Sequence, residues 1–430
     1  MKPPYPSLRA TLATVLLGTA APAAFAETEL VYWSFWNEGE PQAQVIQGWA
    51  DAFADQNDDV SIKVIWNGRQ NQTTVRNALS GNTTIDIMDA DMDALNGGLA
   101  KPGLSVDWTE AMNGPSAGGE GTFQDDFYPG LIEGAALGDH LGQIPYAFYT
   151  VQIFYNQDHF EEVGAETPPE DWAGFMDVLR KVKETGKAPL AVESDITFYN
   201  IHWFNYLLAR IAGPDFLMQA AEDESGESWR DPRIMQVLEL ERALWEEGLI
   251  PEESRGYQWP AGQTTLAYEE SSAALVGSWL PIELADLVEE DFRWGGMKFP
   301  MVEGGEGSID DVTIIGVSFV VLEGSEHAEA AQDFVRFALA EEQQRQMAEV
   351  ARIGVANPAV TWVPEIAASE RAVADANRLM AENLGVKVAY PDYSSNVFEA
   401  IHNRFFLGDL TAEQFVEEMV TGTKDYWANK

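Results

Sequence analysis

The residues best suited to chemistry in this sequence are aromatic side chains near the ends of predicted strands, several of them with polar neighbours. The aromatic set is Trp33, Trp36, Tyr146, Tyr149, Tyr199, Trp203, Trp259 and Trp279, and the polar set is Asn37, Glu38, Arg69, Asp89 and Asp91. A pyranose ring has an apolar face that stacks on indole or phenol, and a rim of hydroxyls that pair with carboxylates, amides and guanidinium groups. The mixture therefore favours carbohydrate binding, although for any single aromatic a place in the core is an equally good interpretation.

Two of these residues have a clearer position than the others. Trp36 follows a predicted strand and precedes Pro41, where a helix is expected to begin, and ligands bind outside the carboxyl ends of strands in open α/β sheets. Arg69 follows the strand that ends at Trp66, so its guanidinium could reach the same edge. A surface ion pair in an acidic protein is the alternative interpretation of Arg69.

The hydrophobic pattern predicts an α/β lobe with a largely parallel sheet, followed by a second α/β region. The predicted strands are 30–35, 60–66, 85–88, 142–156, 273–276, 297–300 and 313–322. The predicted helices begin at Pro41 and cover 70–80, 171–184, 200–210, 233–247, 328–340 and the tail from Thr411. The long stretch 142–156 contains no turn after Pro145, so it could cross from one lobe into another.

The N-terminus has the form of a cleavable export signal. Lys2 and Arg9 precede an uncharged stretch at 11–24, and 24–26 reads Ala-Phe-Ala, so we expect residues 1–26 to be removed and the mature chain to start at Glu27. The stretch is too short to span a bilayer as a permanent anchor. We therefore expect an exported protein without stable membrane insertion, in a bacterial periplasm.

Composition narrows the class further. The chain has 430 residues, no cysteine, and a formal net charge of −44 from 70 acidic and 26 basic residues. The length favours two lobes, the absence of cysteine excludes disulfide scaffolds and a lipid on an N-terminal cysteine, and the charge makes nucleic acid a poor partner. We attribute the charge mainly to a solvated acidic surface in a salty environment, with a cationic ligand as the alternative.

Motifs of catalysis and metal binding match poorly. The G-x-S-x-G string at 114–118 lies among Gly and Asn rather than between a strand and a helix. The acidic loop from Asp89 has Ala94 and Ala100 where a calcium loop needs Gly and Glu. The five histidines have no zinc spacing. We expect no catalytic residues, no metal and no cofactor.

Five stretches, in this order, carry a family resemblance: LVYWSFWNEGEPQAQVIQGWADAFADQNDDVSIKVIW, TTIDIMDADMDALNGGL, GQIPYAFYTVQIFYNQDHFEEVGAETPPEDWAGF, ALVGSWLP and EGSEHAEAAQDFVRFAL. Together they resemble the family 1 extracellular solute-binding proteins of ABC transporters, the group that includes maltose-binding protein. The resemblance covers essentially the whole mature chain.

The resemblance implies an α/β, two-lobed periplasmic binding protein fold (type 2-like), with a ligand cleft between lobes joined by crossing strands. The implied N-lobe is 27–147 plus 308–357, and the implied C-lobe is 148–307 plus 358–430. The implied ligand-binding residues, with Arg69 added from its position, are Trp36, Asn37, Glu38, Arg69, Asp89, Asp91, Tyr146, Tyr149, Trp203 and Trp279. Some sugar binders have a carboxylate where Tyr149 stands, which leaves the exact sugar open.

The expected function is capture of a sugar or oligosaccharide, without chemistry, by a monomer that delivers it to an inner-membrane ABC permease. Two alternatives remain open at this point. One is the same fold binding a polyamine or another cationic solute, and the other is a secreted carbohydrate-active enzyme. The sequence does not name the sugar, its chain length or the permease.

Overall fold

The structure is a computed structural model that describes residues 28–81 and 83–430. The predicted signal peptide and Glu27 lie outside the described residues. The strands are β1 Thr28–Ser34, β2 Val60–Trp66, β3 Ile87–Asp91, β4 Ile144–Asn156, β5 Ala188–Leu190, β6 Ser271–Gly277, β7 Trp294–Met297, β8 Asp311–Val321, β9 Gly354–Val355 and β10 Arg378–Met380.

The helices are α1 Pro41–Gln56, α2 Asn71–Ser80, α3 Met92–Gly97, α4 Leu131–Ala135, α5 Gln157–Glu162, α6 Trp172–Glu184, α7 Thr197–Ala212, α8 Phe216–Glu222, α9 Pro232–Glu246, α10 Ala261–Ala267, α11 Leu280–Glu283, α12 Ala328–Ala338, α13 Glu341–Val350, α14 Ala367–Ala374, α15 Val386–Ala389, α16 Pro391–Tyr393, α17 Ala400–Phe406 and α18 Ala412–Ala428. Across the described ranges, none of these helices combines the length and the apolar character that crossing a bilayer requires.

The first helix shows how the sequence pattern becomes structure. Pro41 is the first residue of α1, where its missing N–H costs no hydrogen bond. Val45, Trp49 and Phe53 lie four residues apart, and all three are buried on the face that packs against the sheet. The helix therefore holds the chain immediately after β1, with Phe35 and Trp36, at the carboxyl edge of the first sheet.

Ten strands form one continuous pairing network with two parts. In the first part the order is β2-β1-β3-β8-β4, with β1 parallel to β2 and β3, and with β8 antiparallel to β3 and β4. In the second part β4 pairs antiparallel with β6 and β7, and β6 pairs parallel with β5. The carboxyl ends of β1 and β3 lie at the same edge, as the predicted parallel lobe requires.

Strand β4 joins the two parts. Its residues up to Thr150 pair with β8, and its residues from Val151 pair with β6. The hydroxyl of Tyr206 donates a hydrogen bond to the Val151 carbonyl (2.6 Å) and accepts one from the Thr313 N–H (2.9 Å). One side chain of α7 thus bonds to both β4 and β8 where their pairing ends.

The buried side chains form two large clusters, one for each part of the sheet. The first begins at Leu30 and continues through Phe148 and the β8 residues, and the second begins at Val151 and includes α6, α7, α9 and α18. The predicted lobe limits stay a prediction. The first cluster continues past residue 357, because Trp362, Ile366 and Val373 pack into it, and the second cluster takes over at Met380.

One predicted strand has a different position. The sequence predicted a strand at 297–300, whereas β7 is Trp294–Met297 and pairs with Ile153–Asn156 of β4. The prediction was placed three residues too far toward the C-terminus, because Phe299 and Pro300 are hydrophobic. Both are buried, but Pro300 has no N–H to give to a neighbouring strand.

Candidate functional site

A cleft of about 460 Å³ lies at the carboxyl edge of the first part of the sheet and faces loops of the second part. Its lining combines six aromatic residues with charged and small polar ones. The lining residues are Phe35, Trp36, Arg69, Asp91, Tyr149, Thr197, Phe198, Tyr199, Trp279, Glu283, Ile315, Val317, Glu382, Lys387, Ser395 and Glu399. The first five come from segments around β1 to β4, and most of the others follow β4 in the chain.

One wall of the cleft is a set of aromatic rings around Trp279. The Trp279 indole N–H donates to the Tyr199 hydroxyl (3.0 Å), and the Tyr149 ring meets the indole edge to face, with centroids 5.2 Å apart. Phe198 packs against Tyr199 at 4.6 Å. Trp279 is half-buried, so part of its face remains open to a ligand.

The backbone before Trp279 leaves room for the indole. A side-chain carbon on Gly277 would come within 1.9 Å of the Trp279 ring, so only glycine allows the ring to lie on this strand end. The next residue, Ser278, donates its N–H to the Thr150 carbonyl (2.8 Å) and accepts the Thr150 N–H on its hydroxyl (3.2 Å). The crossing strand therefore sets the position of the indole.

Beneath the opposite side of the cleft lies a buried hydrogen-bond network. The Trp36 indole donates to the Tyr146 hydroxyl (2.6 Å), which donates to the Asp89 carboxylate (2.6 Å). The same carboxylate accepts the Phe35 N–H (2.6 Å), so it ties the end of β1 to β3. Burial raises the pKa of Asp89 to about 6, although these hydrogen bonds favour the ionised form.

Arg69 lies on the same side and has several partners. Its guanidinium forms two hydrogen bonds with the Glu40 carboxylate (2.8 and 2.9 Å) and a third with the Phe35 carbonyl (3.0 Å). It also stacks 4.5 Å from the Phe35 ring centre. Arg69 therefore lines the cleft and at the same time forms the surface ion pair that was the alternative interpretation of this residue.

The remaining charged groups come from the C-terminal part of the chain. Lys387 pairs with Glu382 (2.6 Å), and the Glu382 N–H donates to the Asp93 carboxylate (3.0 Å) at the start of α3. Burial raises the pKa of Glu382 to about 7. Glu399 accepts a hydrogen bond from the Asn383 amide (2.6 Å) and lies in a π-helical turn, a local irregularity common at functional sites.

The structure brings five of the ten predicted residues to this cleft and places five elsewhere. Trp36, Arg69, Asp91, Tyr149 and Trp279 line it. Asn37 and Glu38 lie in an exposed turn, where Asn37 bonds to Glu40 (2.8 and 3.2 Å).

Asp89, Tyr146 and Trp203 are not at the surface of the cleft. Asp89 and Tyr146 are 0% exposed and support its floor from below. Trp203 is 1% exposed and packs among Trp172, Phe175 and Phe299 of the second core. The family resemblance implied a place for it in the site, on the second lobe, but α7 turns this residue inward.

Several lining residues were missed. Phe198 and Glu283 stand next to residues that the sequence singled out, and an aromatic pair at 198–199 and an acid four residues after Trp279 are signals that could have been used. Glu382, Lys387 and Glu399 lie far along the chain in a segment with no recognised motif. Within residues 28–81 and 83–430, no group of three or more His, Asp or Glu side chains is arranged to hold a metal ion.

A comparison with protein families decides what kind of site this is. The family model described as bacterial extracellular solute-binding protein matches residues 37–345, well over half of the chain. The chain belongs to this family. The predicted family and the predicted role as a binding protein are thereby confirmed.

Solved structures with the same fold agree with the family. Ligand-free RafE from Streptococcus pneumoniae has a TM-score of 0.78 at 16% identity, covering 93% of this chain and 98% of that one. The binding protein MsmE of Bacillus subtilis has a TM-score of 0.77 at 14% identity, covering 94% and 98%. No curated protein matches the sequence.

A third neighbour was solved with a ligand. It is a sugar transporter protein from Bacillus licheniformis in complex with stachyose, with a TM-score of 0.65 at 16% identity, covering 92% of this chain and 98% of that one. Structural similarity at such low sequence identity is evidence of a shared fold. The predicted two-lobed α/β fold is thereby confirmed.

The buried carboxyl of this solute-binding protein gives a prediction about pH. Because the pKa of Asp89 is raised from 3.8 to about 6, the folded chain holds this proton at pH values where the unfolded chain has lost it. Its contribution to stability is therefore present below pH 4 and is lost as the pH rises through 6. The full difference corresponds to about 3 kcal/mol.

The measurement compares the wild type with Asp89→Asn by urea unfolding between pH 4 and 7. The free energy of unfolding of the wild type, relative to the variant, should fall by up to about 3 kcal/mol across this range, since the variant cannot titrate at this position. A difference that stays constant or grows with pH would show that Asp89 is ionised without cost in the folded protein.

Proposed function

We propose that this protein is a periplasmic receptor that captures a sugar or oligosaccharide between its lobes and delivers it to an inner-membrane ABC permease. The observation that carries the proposal is the partly exposed indole of Trp279 in the cleft. Tyr149 and Tyr199 contact this indole, and Gly277 leaves the space that it occupies. A flat aromatic face of this kind suits the apolar side of a pyranose ring.

Groups for the sugar hydroxyls surround this platform. Asp91, Glu283, Glu382 and Glu399 supply acceptors, and Arg69 and Lys387 supply donors. Arg69 and Lys387 are held in place by their carboxylate partners, Glu40 and Glu382, so their remaining N–H groups are positioned to orient a ligand. Besides the neighbour with stachyose, two further solved structures of this fold support a sugar as the ligand: RafE in complex with raffinose, and the solute receptor AcbH, which is described as having an exclusive preference for galactopyranose.

Of the residues predicted from the sequence, we propose direct contact for Trp36, Arg69, Asp91, Tyr149 and Trp279. We propose supporting roles for Asp89 and Tyr146, which hold Trp36 and Phe35 from below. The predicted contacts of Asn37 and Glu38, which are exposed, would need a closed form in which the ligand reaches beyond the present cleft lining. We propose no contact for Trp203, whose side chain is packed in the second core. We further propose that the receptor is a monomer with the lobe limits predicted above, except that the N-lobe continues past residue 357 to include Trp362, Ile366 and Val373.

A second candidate ligand is favoured by one observation. Four carboxylates line the cleft against two basic side chains that are both paired, and carboxylates with aromatic faces also suit a cationic amine. The third class considered from the sequence, a carbohydrate-active enzyme, does not fit a family of binding proteins.

A thermal-shift panel should separate the sugar from the amine. At physiological ionic strength, raffinose, stachyose, galactose, xylo-oligosaccharides and chito-oligosaccharides are compared with putrescine and spermidine. A sugar at 100 times its Kd should stabilise the fold by about 2.7 kcal/mol, seen as a higher melting temperature, whereas the amines should have no effect beyond that of salt. If only the amines raise the melting temperature, the ligand is a cationic solute and the proposed sugar is wrong.

Trp279→Ala should be the most damaging single change for binding. The loss of a stacked indole should cost about 2–4 kcal/mol, or roughly 30- to 1,000-fold in Kd by calorimetric titration, with less effect on stability because the indole is already partly exposed. The control is Trp427→Ala, since this half-buried indole does not line the cleft and donates its N–H to the Ala221 carbonyl (2.8 Å). If the Trp279→Ala variant binds with wild-type affinity but melts at a much lower temperature, Trp279 is a core residue and does not contact the ligand.

Ligand should also draw the lobes together about the two crossings, near Ala147–Thr150 and near residues 307–311. The ligand is expected to contact both lobes and therefore to favour the closed form. Small-angle X-ray scattering should show a smaller radius of gyration at saturating sugar. An unchanged radius would count against a hinge at these positions.

A further inference from the structure

Hydrogen bonds join two neighbouring segments, residues 193–195 and 257–263, beside the aromatic wall of the cleft. All three bonds have a backbone N–H as the donor. Ser194 donates to the Tyr257 carbonyl (3.2 Å), Trp259 to the Asp195 carboxylate (2.9 Å), and Gln263 to the Glu193 carboxylate (2.7 Å). These three bonds connect residues 193–195 to residues 257–263. The two loops therefore behave as one surface, which we call the rim.

The rim is joined directly to the cleft. Phe198, which lines the cleft, follows Asp195 by three residues, at most about 11 Å of extended chain. From the other loop, the Gln263 amide donates to the carboxylate of Glu283 (3.0 Å), another residue of the cleft. Two independent links thus hold the rim next to the ligand-binding surface.

The rim carries an indole that the protein itself does not cover. Trp259 is 49% exposed, and Gln258, Pro260 and Ala261 around it are exposed as well. The described residues include three aromatic side chains among the most exposed large hydrophobics, Phe198, Trp259 and Tyr268, and two of the three belong to the cleft edge or the rim. Phe198 lies beside Trp279, with ring centres 6.3 Å apart, and Trp259 lies outside the cleft lining on the adjoining rim.

We propose that Trp259 forms an outer subsite for an oligosaccharide whose inner ring lies on Trp279. This inference rests on the proposed function and narrows its substrate to linked pyranose units rather than a single sugar. The indole offers a second stacking face, and the exposed Asp195 beside it offers a carboxylate oxygen to a hydroxyl. Phe198 would lie along the ligand between the two indoles.

The test is calorimetric titration of the wild type, Trp259→Ala and Trp259→Phe with sugars of increasing length. The probes are galactose, raffinose and stachyose, together with xylo- and chito-oligosaccharides of two to six units. In the series that binds, wild-type affinity should rise with chain length, and Trp259→Ala should weaken the longest sugar about five- to thirtyfold while leaving the shortest unchanged. Trp259→Phe should retain part of the gain, because it keeps a ring.

Tyr268→Ala is the matched control, since Tyr268 is 58% exposed at the far end of α10 and does not line the cleft. It should bind every sugar as the wild type does. Equal weakening at all lengths by Trp259→Ala, no weakening at any length, or a wild type that binds only the monosaccharide would overturn the outer subsite alone. A wild type that binds no sugar would overturn the proposed function, and the subsite with it.

Discussion

The structure depends on one strand, β4, which pairs with neighbours in both parts of the sheet. β4 pairs with β8 up to Thr150 and with β6 from Val151, and the Tyr206 hydroxyl bonds to both β4 and β8 at the point where their pairing ends. Backbone hydrogen bonds of this kind cannot be left unmade in the interior, so the ladder keeps the two lobes joined at the crossing. The cleft lies next to this crossing, and Tyr149 and Trp279 lie within one or two residues of it.

The two sides of the cleft are built in different ways. On one side a buried carboxyl, Asp89, holds the end of β1 through Phe35 and, through Tyr146, the indole of Trp36. On the other side an aromatic wall rests on a glycine and on the backbone bonds of Ser278 to β4. A preorganised floor facing an aromatic wall lets a ligand gain stacking and hydrogen bonds with little ordering of side chains, which favours affinity.

The sequence was informative where function and strand geometry coincide. Trp36, Asp91, Tyr149 and Trp279 could be predicted because they follow strand ends or lie on the crossing, and α/β sheets bind ligands there. Asp89 and Tyr146 share their residue types with Asp91 and Tyr149 but come two and three residues earlier, within β3 and β4, where their side chains are 0% exposed. Trp203 was misplaced for a similar reason, since its side of α7 faces the core.

The contribution of residues 382–399 could not be predicted, because it depends on how the end of the chain returns to the cleft. Glu382 reaches the start of α3 through a hydrogen bond between residues that are 289 positions apart. No local pattern encodes such a contact, and short helices with a π-helical turn have weak periodicity. Composition did show an acidic protein, but not that four carboxylates would line one cleft.

The central claim is that a sugar lies in this cleft with its ring on Trp279. A crystal structure of the protein with the tightest-binding saccharide tests it most directly. The account predicts a pyranose ring stacked on the Trp279 indole, with hydroxyls within hydrogen-bond distance of carboxylates from both sides of the cleft. A saccharide bound elsewhere, or an indole turned into the core with the ring unstacked, would contradict it.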